Sequence, residues 1–106
     1  MRVLIVAELT KAARKNAPLR TALANWLETT EAATWRNIQQ VRRTFQSADE
    51  VPVRVSGQGT VIATVFNIKG NEYRLITTVN FDSATVVGRE LLTHAEYNKN
   101  TWKARL

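Results

Sequence analysis

Residues 60–92 read TVIATVFNIKGNEYRLITTVNFDSATVVGRELL, and this stretch decides the fold. β-Branched residues dominate it and polarity alternates with period two, the pattern of strands with one face turned to a core. Three strands are predicted: Thr60 to Ile68, Asn71 to Phe81 and Thr85 to Leu92. Lys69-Gly70-Asn71 and Asp82-Ser83-Ala84 separate them, and connections that short join antiparallel neighbours.

Period two begins at Val51, and Ser56-Gly57-Gln58-Gly59 reads as a turn before the first of these strands rather than a phosphate cradle. Further upstream the periodicity is helical. Leu19, Ala22, Leu23, Trp26 and Leu27 recur at i, i+3, i+4, i+7 and i+8, with Pro18 suited to the first helical position. A shorter helix is predicted over Thr10 to Asn16, and a third starts at Thr34 as its cap, with Trp35, Ile38, Val41 and Phe45 on one side. Arg36, Gln40 and Arg43 lie on the other side, a polar stripe that fits a solvated face and also a phosphate backbone. Met1 to Ala7 is a short apolar run broken by Glu8, too short for a signal-peptide core or a membrane span, and reads as a strand. Together these elements predict one α+β domain over residues 1–106, with helices on one face of an antiparallel sheet and the other face left for a ligand.

Charge narrows the partners. Fifteen Lys and Arg against nine Asp and Glu give +6, and ten of the fifteen are Arg, whose planar fork matches phosphate. The excess divides evenly between the two halves, so the folded body must present it. A pI near 10.3 makes nucleic acid a reasonable first partner, although many small proteins are simply basic. No segment is long and apolar enough for a membrane, so the expected location is the cytoplasm.

Several chemistries lack their residues. Without cysteine there are no disulfides or thiolate metal sites, and with His94 the only histidine no ordinary zinc set can form. The nine carboxylates are scattered rather than clustered as in a two-metal nuclease. No serine sits in a nucleophile-elbow context, and there is no Walker or dinucleotide motif, so no cofactor is expected.

The remaining chemistry lies in FNIKGNEYRL (residues 66–75) and THAEYNKNTWK (residues 93–103). Arg74 stands mid-strand, facing away from Tyr73 and Leu75, where a charge requires either an ion pair to Glu72 or Glu90 or a ligand. Thr93 and Glu96 have capping-box spacing, so a last helix is expected from Thr93 to Trp102 with His94 in its first turn. A helix amino terminus offers N–H groups to an anion and disfavours imidazolium. Tyr97 follows on the same face, Lys99 and Lys103 form an i, i+4 pair, and Trp102 reads as a core anchor. Lys69, Arg74, Arg89, His94, Tyr97 and Lys99 thus combine cations for phosphate, a proton carrier and an aromatic ring that can stack on a base.

These two runs, and more loosely TWRNIQQVRRTF (residues 34–45), resemble the HigB-type toxins of the RelE superfamily over about two thirds of the chain. The resemblance implies helices packed on an antiparallel sheet and a ribonuclease that cuts mRNA during translation on the ribosome. It implies a helix-turn-helix antitoxin as partner, and contact with DNA only through that antitoxin complex. The metal-free reaction so implied uses the substrate's 2′-hydroxyl as nucleophile on the adjacent phosphate. Its assigned residues are Arg74 and Lys69 on the phosphate, His94 as proton carrier, Tyr97 as stacking or hydrogen-bonding partner, and Lys99 or Arg89 as extra charge. Asn67 and Asn71 orient the turn or contact the sugar. Two readings from other classes stay open beside it: a noncatalytic RNA- or ribosome-binding module, and a basic protein-interaction domain.

Overall fold

The computed structural model describes residues 1–11 and 13–106. Its elements run β1 (Arg2–Ile5), α1 (Ala7–Lys11), α2 (Ala17–Ala32), α3 (Ile38–Thr44), β2 (Asp49–Val55), β3 (Gly59–Ile68), β4 (Tyr73–Asn80), β5 (Thr85–Thr93) and α4 (His94–Asn98), followed by a 3-10 turn over Thr101–Arg105. The five strands form one sheet in the order β1-β5-β4-β3-β2. β2 to β5 are the antiparallel meander expected from the period-two stretch, with β2 added to its edge through a tight turn after Val55. β1 pairs parallel to β5, so the amino terminus lies beside the last strand.

The helices lie where apolar spacing put them, but several ends move. The first strand stops at Ile5 and α1 begins at Ala7, so the described part of the helix expected over Thr10 to Asn16 is displaced toward the amino terminus and Thr10 lies inside α1. Ala12 lies outside the described residues. Asn16 caps α2 by accepting from the Leu19 N–H at 3.1 Å, and Pro18 sits in the first turn. α3 starts one turn later than Thr34 predicts, because the Asn37 side chain accepts the Gln40 N–H at 3.0 Å. Gln40 in turn accepts from the Arg36 N–H at 2.8 Å, so its side chain is bound to backbone and the polar stripe is interrupted.

Two cores result, one on each sheet face. Leu19, Leu23 and Trp26 of α2, with Trp35, Ile38 and Val41, bury Phe66, Ile68 and Leu75. Phe66 is fully buried among three aromatic rings, Trp26, Trp35 and Phe45. The other face is not left open. Val53, Ala63, Val65, Ile76 and Leu92 pack with Trp102, which is 1% exposed. A tryptophan of the last segment thus covers part of the face expected to be free, at a burial worth roughly 1.5–3 kcal/mol or more for so large a side chain.

Candidate functional site

Where Trp102 reaches the sheet, it stacks on Tyr97 at a centroid distance of 5.4 Å and an interplanar angle of 15°. Its indole N–H donates to the Tyr97 carbonyl at 3.1 Å, which locks the last turn onto α4. Asn100, with φ of 61°, breaks the helix that Thr93 to Trp102 was expected to form. Lys99 and Lys103 therefore lie on different elements, and the Lys103 ammonium sits 5.8 Å from the Trp102 ring instead. Lys99 closes α4 as an exposed residue.

Arg74 joins this stack from β4. Its guanidinium carbon is 5.8 Å from the Tyr97 centroid, within cation–π range. One terminal nitrogen donates to the Asn71 and Tyr73 carbonyls at 3.1 and 3.2 Å, and the other to Asn71 Oδ1 at 2.7 Å. Neither expected acid is its partner: Glu72 pairs with Lys69 at 2.9 Å and Glu90 with Arg105 at 2.8 Å. Among the described residues no carboxylate lies within 4.0 Å of Arg74, although only 9% of the residue is exposed. A cation so nearly buried in a chain of net charge +6 calls for an anion.

The neighbours follow from register. Asn67 is the cross-strand partner of Arg74 and shares its face. Lys69 and Gly70, with φ of 55° and 64°, turn the chain so that Asn71 can fold back onto Arg74. The Glu72 hydrogen bond, more than any other influence, raises the Lys69 pKa, so this lysine already has a counter-ion. The capping box forms as its spacing predicts, Glu96 N–H to Thr93 Oγ1 at 3.1 Å and Thr93 N–H to Glu96 Oε1 at 2.9 Å. The His94 N–H donates to the Glu72 carbonyl at 2.9 Å, tying α4 to the β3–β4 turn. These bonds use up donors that were expected to be free for an anion. The His94 side chain is half-buried and makes no hydrogen bond among the described residues. Burial, then the Asp49 carboxylate, push the Tyr97 phenol up, while Arg74 pulls it down.

Arg89 lies apart from this cluster. It is the extra residue of a bulge opposite Ile76 and Thr77, and its Nε–H donates to Thr78 Oγ1 at 3.3 Å. Thr78 is four residues along β4 from Arg74, roughly 13 Å at strand rise. The structure thus brings together Arg74, Asn71, Asn67 and Tyr97, places Lys69 and His94 at the adjoining turn, and leaves Lys99 and Arg89 at the margins. Asp49 was not among the expected site residues. Its spacing carries a signal: it shares the strand parity of Val51, Val53 and Val55, which pack into the second core. Cavities of about 300 and 320 Å³ lie elsewhere, beside Thr78 and Asn80 and beside Val6 and Arg89. Arg74 lines neither of these two. Among the described residues no three His, Asp or Glu side chains gather as a metal site.

A family model described as HigB_toxin, the RelE-like toxic component of a toxin-antitoxin system, matches residues 19–100. The chain belongs to the HigB family of RelE-like toxins. Its fold is shared with a chain of the crystal structure of the archaeal RelE-RelB complex from Pyrococcus horikoshii OT3, with a TM-score of 0.56. That match has 16% sequence identity and covers 88% of this chain and 93% of that one. No curated protein matches the chain. The matched HigB region runs from α2 through α4, so it contains Arg74, the β3–β4 turn and Tyr97, but ends before Trp102.

Proposed function

We propose that this HigB-family toxin is an endoribonuclease that cuts mRNA during translation. The observation that carries the reading is Arg74, nearly buried and held in place by Asn71, yet without a carboxylate partner among the described residues. Three of its five N–H donors hold the guanidinium, which leaves two for a phosphate oxygen pair. As the 2′-oxygen attacks phosphorus, charge grows on the phosphate and Arg74 neutralises it, while two protons must move. His94, whose side chain makes no hydrogen bond among the described residues, moves one of them. Tyr97 contributes its hydroxyl as a hydrogen-bond donor, since Trp102 and Arg74 already occupy its ring. Asn67 and Asn71 border the sugar, and Lys69, Lys99 and Arg89 supply longer-range charge.

The partner that restrains the toxin is a helix-turn-helix antitoxin; the fold neighbour was crystallised as a RelE-RelB complex. Any contact with DNA passes through that antitoxin. The test is purified protein added to a translation reaction with a reporter mRNA, followed by mapping of the ends. Cuts that leave a 2′,3′-cyclic phosphate and a 5′-hydroxyl, and that disappear with Arg74→Ala, are expected. Intact mRNA would overturn the reading, and ribosome binding without cutting would replace it with the noncatalytic one.

A further inference from the structure

The residues matched by the HigB model end at 100, yet the side chain that closes the second core lies beyond them. Asn100 takes a φ of 61°, a left-handed conformation that asparagine tolerates better than most residues, and the closing 3-10 turn follows from it. Trp102, in that turn, packs against Val53, Ala63, Val65, Ile76 and Leu92 and is 1% exposed. Burial alone would make it an anchor.

Its polar and ring contacts all converge on Tyr97. The indole N–H donates to the Tyr97 carbonyl at 3.1 Å, an oxygen that already accepts the Asn100 N–H at 3.2 Å. The indole ring stacks on the phenol ring at 5.4 Å. The far end of the turn is fastened as well, where Arg105 Nε–H donates to Glu90 Oε1 at 2.8 Å. Glu90 pairs in register with Ile76, two residues along β4 from Arg74, so this latch lies on the Arg74 face of the sheet. The latch is half-exposed and contributes little, which leaves Trp102 as the main hold.

That hold matters because α4 has little of its own. It is five residues long and fully buries none of them, and a helix so short is not stable unless tertiary contacts fix it. The capping box and the His94 N–H to Glu72 bond secure its start. Trp102 secures its end, and with it the ring that lies 5.8 Å from the Arg74 guanidinium carbon.

We propose that Trp102 is a positioning residue of the cleavage site. By clamping both the carbonyl and the ring of Tyr97, it sets the plane on which Arg74 rests and so aims the guanidinium at the phosphate. The inference rests on the ribonuclease reading, and adds to it a dependence on a turn outside the family-matched residues. Trp102 itself touches no RNA; it acts on the rate of cutting through Tyr97.

The experiment is single-turnover cleavage of mRNA on purified ribosome complexes at several toxin concentrations, which separates the maximal rate from the half-saturating concentration, beside thermal melts. Trp102→Leu is expected to lower the maximal rate at least about tenfold through misplacement of Arg74, with the half-saturating concentration held within about twofold. Trp102→Phe, which keeps a ring but loses the N–H, should recover part of the rate. Trp26→Leu, which removes a buried indole from the other core, should lower the melting temperature yet cut at close to the wild-type rate below it. In a Tyr97→Leu background, Trp102→Leu should cause no further loss, because residues that act through one another are not additive. Should Trp102→Leu not fold, Trp102→Phe in the two backgrounds gives the same comparison. An additive loss, a rate in Trp102→Leu no lower than in Trp26→Leu, or a loss confined to the half-saturating concentration would overturn this inference alone. Absence of cleavage by the wild type would overturn it together with the functional reading.

Discussion

Asn71 grips Arg74 twice, with its carbonyl at 3.1 Å and its side-chain oxygen at 2.7 Å, so the turn and the strand that follows it act as one unit. The guanidinium cannot swing toward solvent without breaking both bonds. Asn71→Ala should therefore cut cleavage through orientation while sparing the fold, because Asn71 is exposed. A loss of about tenfold is expected from one bond to a charged group, against a larger one for Arg74→Lys, which cannot reproduce the fork. Rates of mRNA cutting measured beside thermal melts would separate the two effects. Equal activity of Asn71→Ala and wild type would show that the turn does not aim Arg74.

Tyr97 offers a ring and a hydroxyl, and the two can be removed separately. Tyr97→Phe keeps the stack with Trp102 and the seat for Arg74 but loses the donor. Tyr97→Leu loses all three, including a cation–π contact of about 0.5–2 kcal/mol. Cleavage should fall in both, and melting temperature chiefly in the second. A Phe variant as active as wild type would assign the residue a packing role only.

The sequence was legible where one period dominated. Strand alternation placed Arg74 on the face opposite Tyr73 and Leu75, and the Thr93–Glu96 spacing located α4. It was less legible where tertiary contacts overrode local signals. Thr34 and Asn37 are both good caps; Asn37 caps α3, while Trp35, just before it, stacks on the buried Phe66. Asn100 adopting a left-handed φ could not be read from the THAEYNKNTWK run, so the folding of Trp102 over the sheet was hidden.

Lys69 is paired to Glu72 at 2.9 Å, and this bond withholds a cation from any RNA that reaches the turn. Glu72→Gln removes the counter-ion while keeping the backbone carbonyl that accepts from His94. The variant should bind RNA more tightly at low salt, with the slope of log affinity against log salt steeper by up to about one. Filter binding at several salt concentrations would measure it. An unchanged slope would mean that Lys69 stays clear of the phosphate backbone.

Among the described residues Thr30 Oγ1, buried at the end of α2, has no hydrogen-bond partner, and neither has Trp26 Nε1 one turn before it. Burying a hydroxyl unpaired costs about 1–3 kcal/mol, which Thr30→Val would remove at nearly constant shape. Chemical denaturation should show a gain in stability of about 1 kcal/mol, with cleavage unaffected because α2 packs on the far face of the sheet. A loss of stability would indicate that an internal water satisfies the pair.

Glu96 links α4 to pH. Its carboxyl is held below the ordinary value, first by the Thr93 backbone N–H and next by the Thr93 side chain. A depressed pKa in the folded state means that the bond stabilises the protein above the unfolded-state value and is lost as pH falls through the folded one. Glu96→Gln should therefore narrow the stability difference between neutral and acidic solution. The group is largely solvent-exposed, so the effect is modest and calls for a paired comparison with the wild type. Because α4 carries both His94 and Tyr97, loosening its cap in acid should also weaken the grip on Arg74. Urea melts of the two proteins from neutral pH down through the carboxylate range give the stability term, and Trp102 fluorescence reports whether the last turn lifts with it. Parallel curves for the two proteins would show that the capping box is not what titrates.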